Sequence, residues 1–457
     1  MTGRPFAMLA VSLALASAAS ALAAGDFEIT AASFLGAPGF EDRVVGARIQ
    51  GDGTIVLAAN LGPGAKVKGL NVEAGKHGLI LRLSPDGKRL LGAAAVAREL
   101  KDMEIDEKDN LYLAAGADGL LKLSATGDKV LLRKEFNDCV RIDAATDGHF
   151  AAIADGGIHI FAPDGQPLGS AKGSHFTCDV CIDAASKTVV FCGFRNAHAH
   201  DGQRRQPVQI AYIHGLAYDG SRKWTNYDWA TDQASDRFIN KPTNNMADTR
   251  GDRCTIGRDG KLYVTFQVAG GNHIFRYSPR NIMERAAIVG GDHYHQFHNS
   301  RAEHKCFFAR YDPATGDYLA GQQFCGRLSS GRANYAATKT GEINADEAGR
   351  VYIAGIGASG LPINLNPSGS DYTGGGFLLV MSPDLRARLL CTRLGIGAPH
   401  AVDARTLDGR LRIVFGGGEA PADIFTTPDS LQPQAADTGK EKGGPRDAFF
   451  ALLAPRY

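Results

Sequence analysis

Apolar positions along this chain come in short alternating runs broken by polar turns rich in Asp and Gly, and few of the runs keep a helical period. One unit recurs. A short strand ends in a D/G turn, and a second strand ends in small residues. After a gap come an apolar third strand, a P-D-G-like turn and a fourth strand. It reads clearly in "ARIQGDGTIVLAANLG" followed by "GLILRLSPDGKRLLG", in "MEIDEKDNLYLAAGADGLLKLSATGDKVLLR" and in "VRIDAATDGHFAAIADGGIHIFAPDGQPLGS". The last unit, "AVDARTLDGRLRIVFGGG" with "DAFFALLAPRY", stops one strand short, while "ITAASFLGAPG" near the start is a strand without a unit. Pairing the two ends removes exposed sheet edges. The pattern therefore predicts an all-β, seven-bladed β-propeller of four-stranded blades, its ring closed by the N-terminal strand completing the last blade. A β-sandwich leaves the regular repeat and the displaced strand unexplained. The expected blades span 42–97, 99–136, 138–171, 177–227, 245–328, 341–393 and 400–457 with 27–36, in a single domain over 24–457.

Within each unit the turns joining strands one to two and three to four are short, and the long gaps fall between strands two and three. In an up-and-down blade those gaps emerge on one face, with the links between blades. The insertions "RNAHAHDGQRRQP", residues 270–305, "ASGLPINLNPSGSDYTGG" and "EAPADIFTTPDSLQPQAADTGKEKGGPR" are thus expected to wall a hollow on a single working face.

Composition narrows the function. Fifty Lys+Arg against forty-nine Asp+Glu leave a formal charge of +1, which argues against nucleic acid as a partner. Arg4, the apolar run "FAMLAVSLALASAASAL" and Ala21-Leu22-Ala23 read as a signal peptide over 1–23, so the expectation is export to the periplasm or medium. No later run is long enough to span a bilayer, and a monomer is expected. Eight cysteines suit an oxidising compartment. Cys181 and Cys192 flank one hairpin turn symmetrically and Cys306 and Cys325 another, so both pairs are expected as disulfides.

The pieces "SFLGAPGFEDRVVGARIQGDGTIVLAANLG", "YIAGIGASGLPINLNP" with "GGGFLLVMSPDL", and "DIFTTPDSLQP" with "GGPRDAFFALL" resemble exported bacterial seven-bladed propellers that carry the SBBP-type repeat. The resemblance covers the first, sixth and seventh units well and the middle ones by pattern. It implies the fold and defines no catalytic residues.

The run "GGDHYHQFHNSRAEHK" concentrates chemistry on the expected working face. Asp292, His293, His295, His298 and His304 form an N/O set that would suit a divalent metal, zinc or copper. The Asp-Gly turns suggest calcium loops but lack the D-x-D-x-D-G run, so turn chemistry is the simpler reading. His198 and His200 from the neighbouring loop, with Trp229, Arg237, Asn245 and Arg250, are expected to bind ligand by stacking and hydrogen bonding. Two readings follow. The first is a noncatalytic propeller binding a partner protein or a cell-surface or extracellular glycan. The second is a polysaccharide lyase or hydrolase with His293, Tyr294 and His295 as acid and base and Arg301 or a metal neutralising a carboxylate. Without a recognisable catalytic motif, the binding reading is preferred.

Overall fold

The structure is a computed structural model that describes residues 26–456 apart from 73–74, 175, 202–203, 230–246, 270–271, 273, 283, 288–303, 368, 394–395 and 438–445. The signal peptide expected over 1–23 lies outside the described residues. No helix among those described is long and apolar enough to cross a membrane.

Alternating sequences and D/G turns become antiparallel hairpins, as the pattern requires. Four-stranded sheets cover residues 102–134, 139–172, 177–227, 249–324 and 336–392, with strands hydrogen-bonded in chain order. The arrangement is that of a β-propeller. The remaining long strands merge into an eight-stranded sheet, ordered Phe27–Leu35, Asp447–Pro455, Arg410–Ala420, Arg43–Ile49, Ile55–Asn60, Gly78–Leu83 and Leu90–Ala97, with Ala398–Leu407 paired to Arg410–Ala420. Seven separate four-stranded blades closed into a ring is therefore corrected: five blades stand alone, and backbone pairing closes no ring. The chain ends do pair, from Phe27 opposite Pro455 to Leu35 opposite Ala448.

The merger has a cause in "FGGGEA". Gly418 pairs with Arg43, joining the first unit to the last. A Cβ on Gly416 would lie 2.8 Å from Val44 Cγ1, and one on Gly417 would lie 2.2 Å from the Ala398 carbonyl oxygen. Only a run of glycines lets Arg410–Ala420 approach both neighbours so closely.

The first strand of each unit lies innermost. These are Arg43–Ile49, Asp102–Ile105, Cys139–Ala144, Thr177–Asp183, Thr249–Ile256, Ala336–Ala345 and Ala398–Leu407. Most carry one extra residue against the second strand, namely Val45, Val140, Cys178, Asp252 and His400. Apolar clusters fill the spaces between sheets; Val56, Ala58 and Ile80, for instance, pack with Met103, Leu111 and Leu113. Fully burying one such aliphatic side chain contributes roughly 1.5–3 kcal/mol.

The two expected disulfides are not formed, and all eight cysteines are free thiols. The ladder sets Cys181 opposite Val190 and Cys192 opposite Asp179, because the turn closes from Asp183 to Thr188, one residue earlier than a symmetric reading needs. Cys306 stands opposite Phe324, with Cys325 one place beyond. A slip of one residue turns a strand's side chains to the other face, which defeats pairing by symmetry.

Candidate functional site

Strands Thr188–Asp201 and Arg204–Ala217 pair without interruption from Thr188↔Ala217 to Asp201↔Arg204. Their outer neighbours stop early, at Thr177↔Gly193 on one side and Tyr212↔Tyr227 on the other. The insertion read as a loop is thus a two-stranded arm that runs past the sheet and carries "RNAHAH" out with it.

Aromatic and charged groups fix the arm at its base. Phe194 stacks on Phe176 at 4.6 Å between ring centroids, and the Arg250 guanidinium lies 5.4 Å over Phe194. Arg250 Nε donates to Gln209 Oε1, and its Nη2 lies 3.6 Å from Asp248 Oδ2. Asp248 Oδ1 accepts from the Gln209 backbone N–H at 2.9 Å. On the far side, Arg195 Nε bonds Asp228 Oδ1 at 2.5 Å and its Nη2 donates to the Trp229 carbonyl. Against this frame lies a cavity of about 410 Å³ lined by Asn196, Ala197, His198, Pro207, Val208, Gln209 and Asp248.

The structure thus brings His198 and Arg250 to one place, coupled through Gln209 and Asp248. Trp229 is buried in the core with Ala197 and Val208 rather than offered as a stacking platform. For His200 only the backbone is described, opposite Arg205. Arg237, Asn245, Asp292, His293, Tyr294, His295, His298 and Arg301 lie outside the described residues. His304 opens the strand His304–Tyr311, with its ring 6.0 Å from Tyr335. Among the described residues no group of three His, Cys, Asp or Glu side chains is placed to hold a metal ion.

A second polar region was missed in the sequence. The inner strands surround a channel in which carboxylates reach across to the next strand's backbone. Asp102 accepts from Ile142 N at 3.1 Å, Asp143 from Ile182 N at 2.7 Å, and Asp179 from Cys254 N at 3.0 Å. Asp252 accepts from Lys339 N at 3.0 Å, Glu342 from Val402 N at 2.7 Å, and Asp403 from Ile49 N at 2.8 Å. Arg48, only 3% exposed, bridges Glu104 and Glu342, the latter at 2.6 Å. The signal was present as an acidic residue in the first strand of nearly every unit: "KDMEID", "RIDAA", "CDVCID", "GDRC", "GEINAD" and "AVDA".

Removal from water dominates the electrostatics here. Burial pushes the Asp252 carboxyl up to about 6 and Glu342 up to about 7, the latter against the pull of Arg48. Asp143 is held well above the usual carboxylate range by burial and by Glu104 beside it. His400, whose Nδ1–H donates to the Thr340 carbonyl at 3.2 Å, is pushed down to about 4 by burial. The channel widens at both mouths. One, of about 340 Å³, is bordered by Arg43, Lys339, His400 and Glu419 on the long-connection side, and the other, of about 290 Å³, lies among the short turns.

No family model matches the sequence, so the resemblance to the SBBP-type repeat rests on the quoted motifs alone. No curated protein matches it either. Among solved structures, it is similar to quinohemoprotein alcohol dehydrogenase from Comamonas testosteroni, with 11% identity over 94% of this chain and 76% of that one and a TM-score of 0.41. It is likewise similar to a quinohemoprotein alcohol dehydrogenase from Pseudomonas putida HK5, with 11% identity, the same coverage and a TM-score of 0.43.

Proposed function

We propose that this chain is an exported, noncatalytic binding propeller whose ligand is an extracellular or cell-surface glycan taken at the base of the hairpin arm. The observation that carries the proposal is the arm-base cavity, about 410 Å³, with His198, Gln209 and Asp248 in its wall and Arg250 locked against two of them. Sugars present C–H faces and hydroxyl edges together. A wall in which Ala197, Pro207 and Val208 alternate with amide, imidazole and carboxylate groups matches both. Arg250, held by Gln209, Asp248 and the Phe194 ring, is preorganised and gives up little side-chain freedom on binding. The channel acids, by contrast, are spent on backbone N–H groups and guanidinium groups, which supports a structural role for them.

A glycan array probed with the native chain, followed by calorimetry on the glycan retained, tests the reading. His198→Ala and Arg250→Ala should each weaken binding about tenfold or more while leaving the fold intact. A blank array, or native-like retention by both variants, contradicts it.

A further inference from the structure

Between its two mouths the channel narrows to a waist of about 30 Å³, walled by the guanidiniums of Arg48, Arg141 and Arg253 and by five carboxylates. The acids there are occupied. Each accepts from a backbone N–H: Asp102 from Ile142, Glu104 from Ile105, Asp143 from Ile182, Asp179 from Cys254 and Glu342 from Val402. Arg48 is matched as well, by Glu104 and Glu342.

The other two guanidiniums are not matched. Arg141 makes no hydrogen bond among the described residues; its Nη1 stands 3.7 Å from Asp102 Oδ1 and its Nε 3.9 Å from Asp179 Oδ1. Arg253, only 6% exposed, gives Nε to the Gly341 carbonyl at 2.7 Å and Nη1 to the carbonyls of Asp252 at 2.8 Å and Cys178 at 3.4 Å. Among the described residues it has no carboxylate within ion-pair distance, and its Nη2 has no acceptor. A guanidinium keeps its charge when buried, so one enclosed without a counterion or a full set of acceptors calls for both. The two converge on one side of the waist, where His400 is held neutral first by burial and then by the charges of Arg43, Arg141 and Arg253 around it. Burial also raises the Asp143, Asp179 and Glu342 carboxyls, which reduces the negative charge that an incoming anion meets.

We infer that the waist binds a chloride ion between Arg141 and Arg253, joining the inner strands Cys139–Ala144 and Thr249–Ile256 across the channel. A monatomic anion accepts from whatever donors surround it and imposes no geometry of its own. The waist holds about two water-sized particles at roughly 10–15 Å³ each, which leaves room for the ion and one water and none for a phosphate or a carboxylate. Water alone would fill the donors but leave the charge of Arg253 unmatched. His400 borders both the waist and the mouth on the long-connection side, which gives the ion its way in.

Thermal unfolding of the full chain in sodium chloride, against sodium isethionate at equal ionic strength, decides the matter. Equal ionic strength removes general screening, and isethionate is too large for the waist. Chloride is expected to raise the melting temperature by a few degrees and to saturate, as a ligand of the folded state does. Arg141→Gln removes a guanidinium that makes no hydrogen bond to the described residues and should weaken the chloride response at least about tenfold. Crystals of the native chain in sodium bromide keep the test decisive if that variant fails to fold, with an anomalous peak expected between Arg141 and Arg253. His198→Ala should respond to chloride like the native chain, which separates this site from the arm. A chloride effect that does not saturate or is absent, an equal response from Arg141→Gln, or water alone at the waist of the bromide crystals overturns the inference.

Discussion

Asp403 shows what the channel carboxylates do. Fully buried, it accepts from Ile49 N, Ala404 N, Asn344 and Arg258, tying three inner strands together through one side chain. Its replacement by Ala strands a guanidinium and a backbone donor, so Asp403→Ala should lower stability by about 3–5 kcal/mol in denaturant titration, and Asn, which keeps one acceptor, should cost less. Glu342 adds a pH signature. Its folded carboxyl, at about 7, holds a proton more tightly than the ordinary 4.5. The stability this contributes is present in full below 4.5 and is lost as the pH rises through 7. Glu342→Gln removes that titration. The melting temperature of the Gln variant minus that of the native chain should therefore climb from about pH 5 to about pH 8, and a constant difference would remove Glu342 as the titrating group. His400 acts in the opposite sense. Half-buried and held as a neutral ring at about 4 against the ordinary 6.5, it costs stability as the pH falls below 6.5.

At the scale of elements, alternation and turn chemistry reveal most strands, while register and sheet boundaries depend on features that a single strand does not display. Arg410–Ala420 reads as an ordinary second strand, yet Gly416, Gly417 and Gly418 bring it against both Ala398–Leu407 and Arg43–Ile49 and fuse two units. Gly417→Ala must push back the Ala398 carbonyl and should cost about 1–3 kcal/mol; Gly92→Ala, on an edge strand with nothing within 4 Å, should be neutral or slightly stabilising. Where each turn closes sets the register, and a closure from Asp183 to Thr188 is enough to undo the symmetric hairpin on which the Cys181–Cys192 pairing rested. The arm was visible in principle, since "RNAHAHDGQRRQPVQ" alternates on both sides of a D-G pair, a hairpin signal hidden by reading the stretch as an insertion. His198 and Arg250 were legible as candidates on residue type, but their coupling runs through Gln209 and Asp248, which carry no motif.

For the whole molecule, a net charge of +1 conceals a division of labour. Inner strands concentrate acids and arginines in a channel that holds the sheets together, while the projecting arm sets the His198 imidazole in the wall of a cavity at its root, against Gln209 and Asp248, which hold Arg250 of the neighbouring strand. Because the arm extends beyond its sheet neighbours, recognition and stability should separate. Replacing residues 196–209 by an Asn-Gly turn joins Arg195 to Ile210, which already pair across the ladder, in a two-residue hairpin that suits the twist of the strands. The direct measurement is calorimetric binding of the array-selected glycan to this shortened chain, alongside its melting temperature. The expected result is a melting temperature within a few degrees of the native value with glycan binding abolished; a shortened chain that still binds with native affinity would contradict the placement of the site.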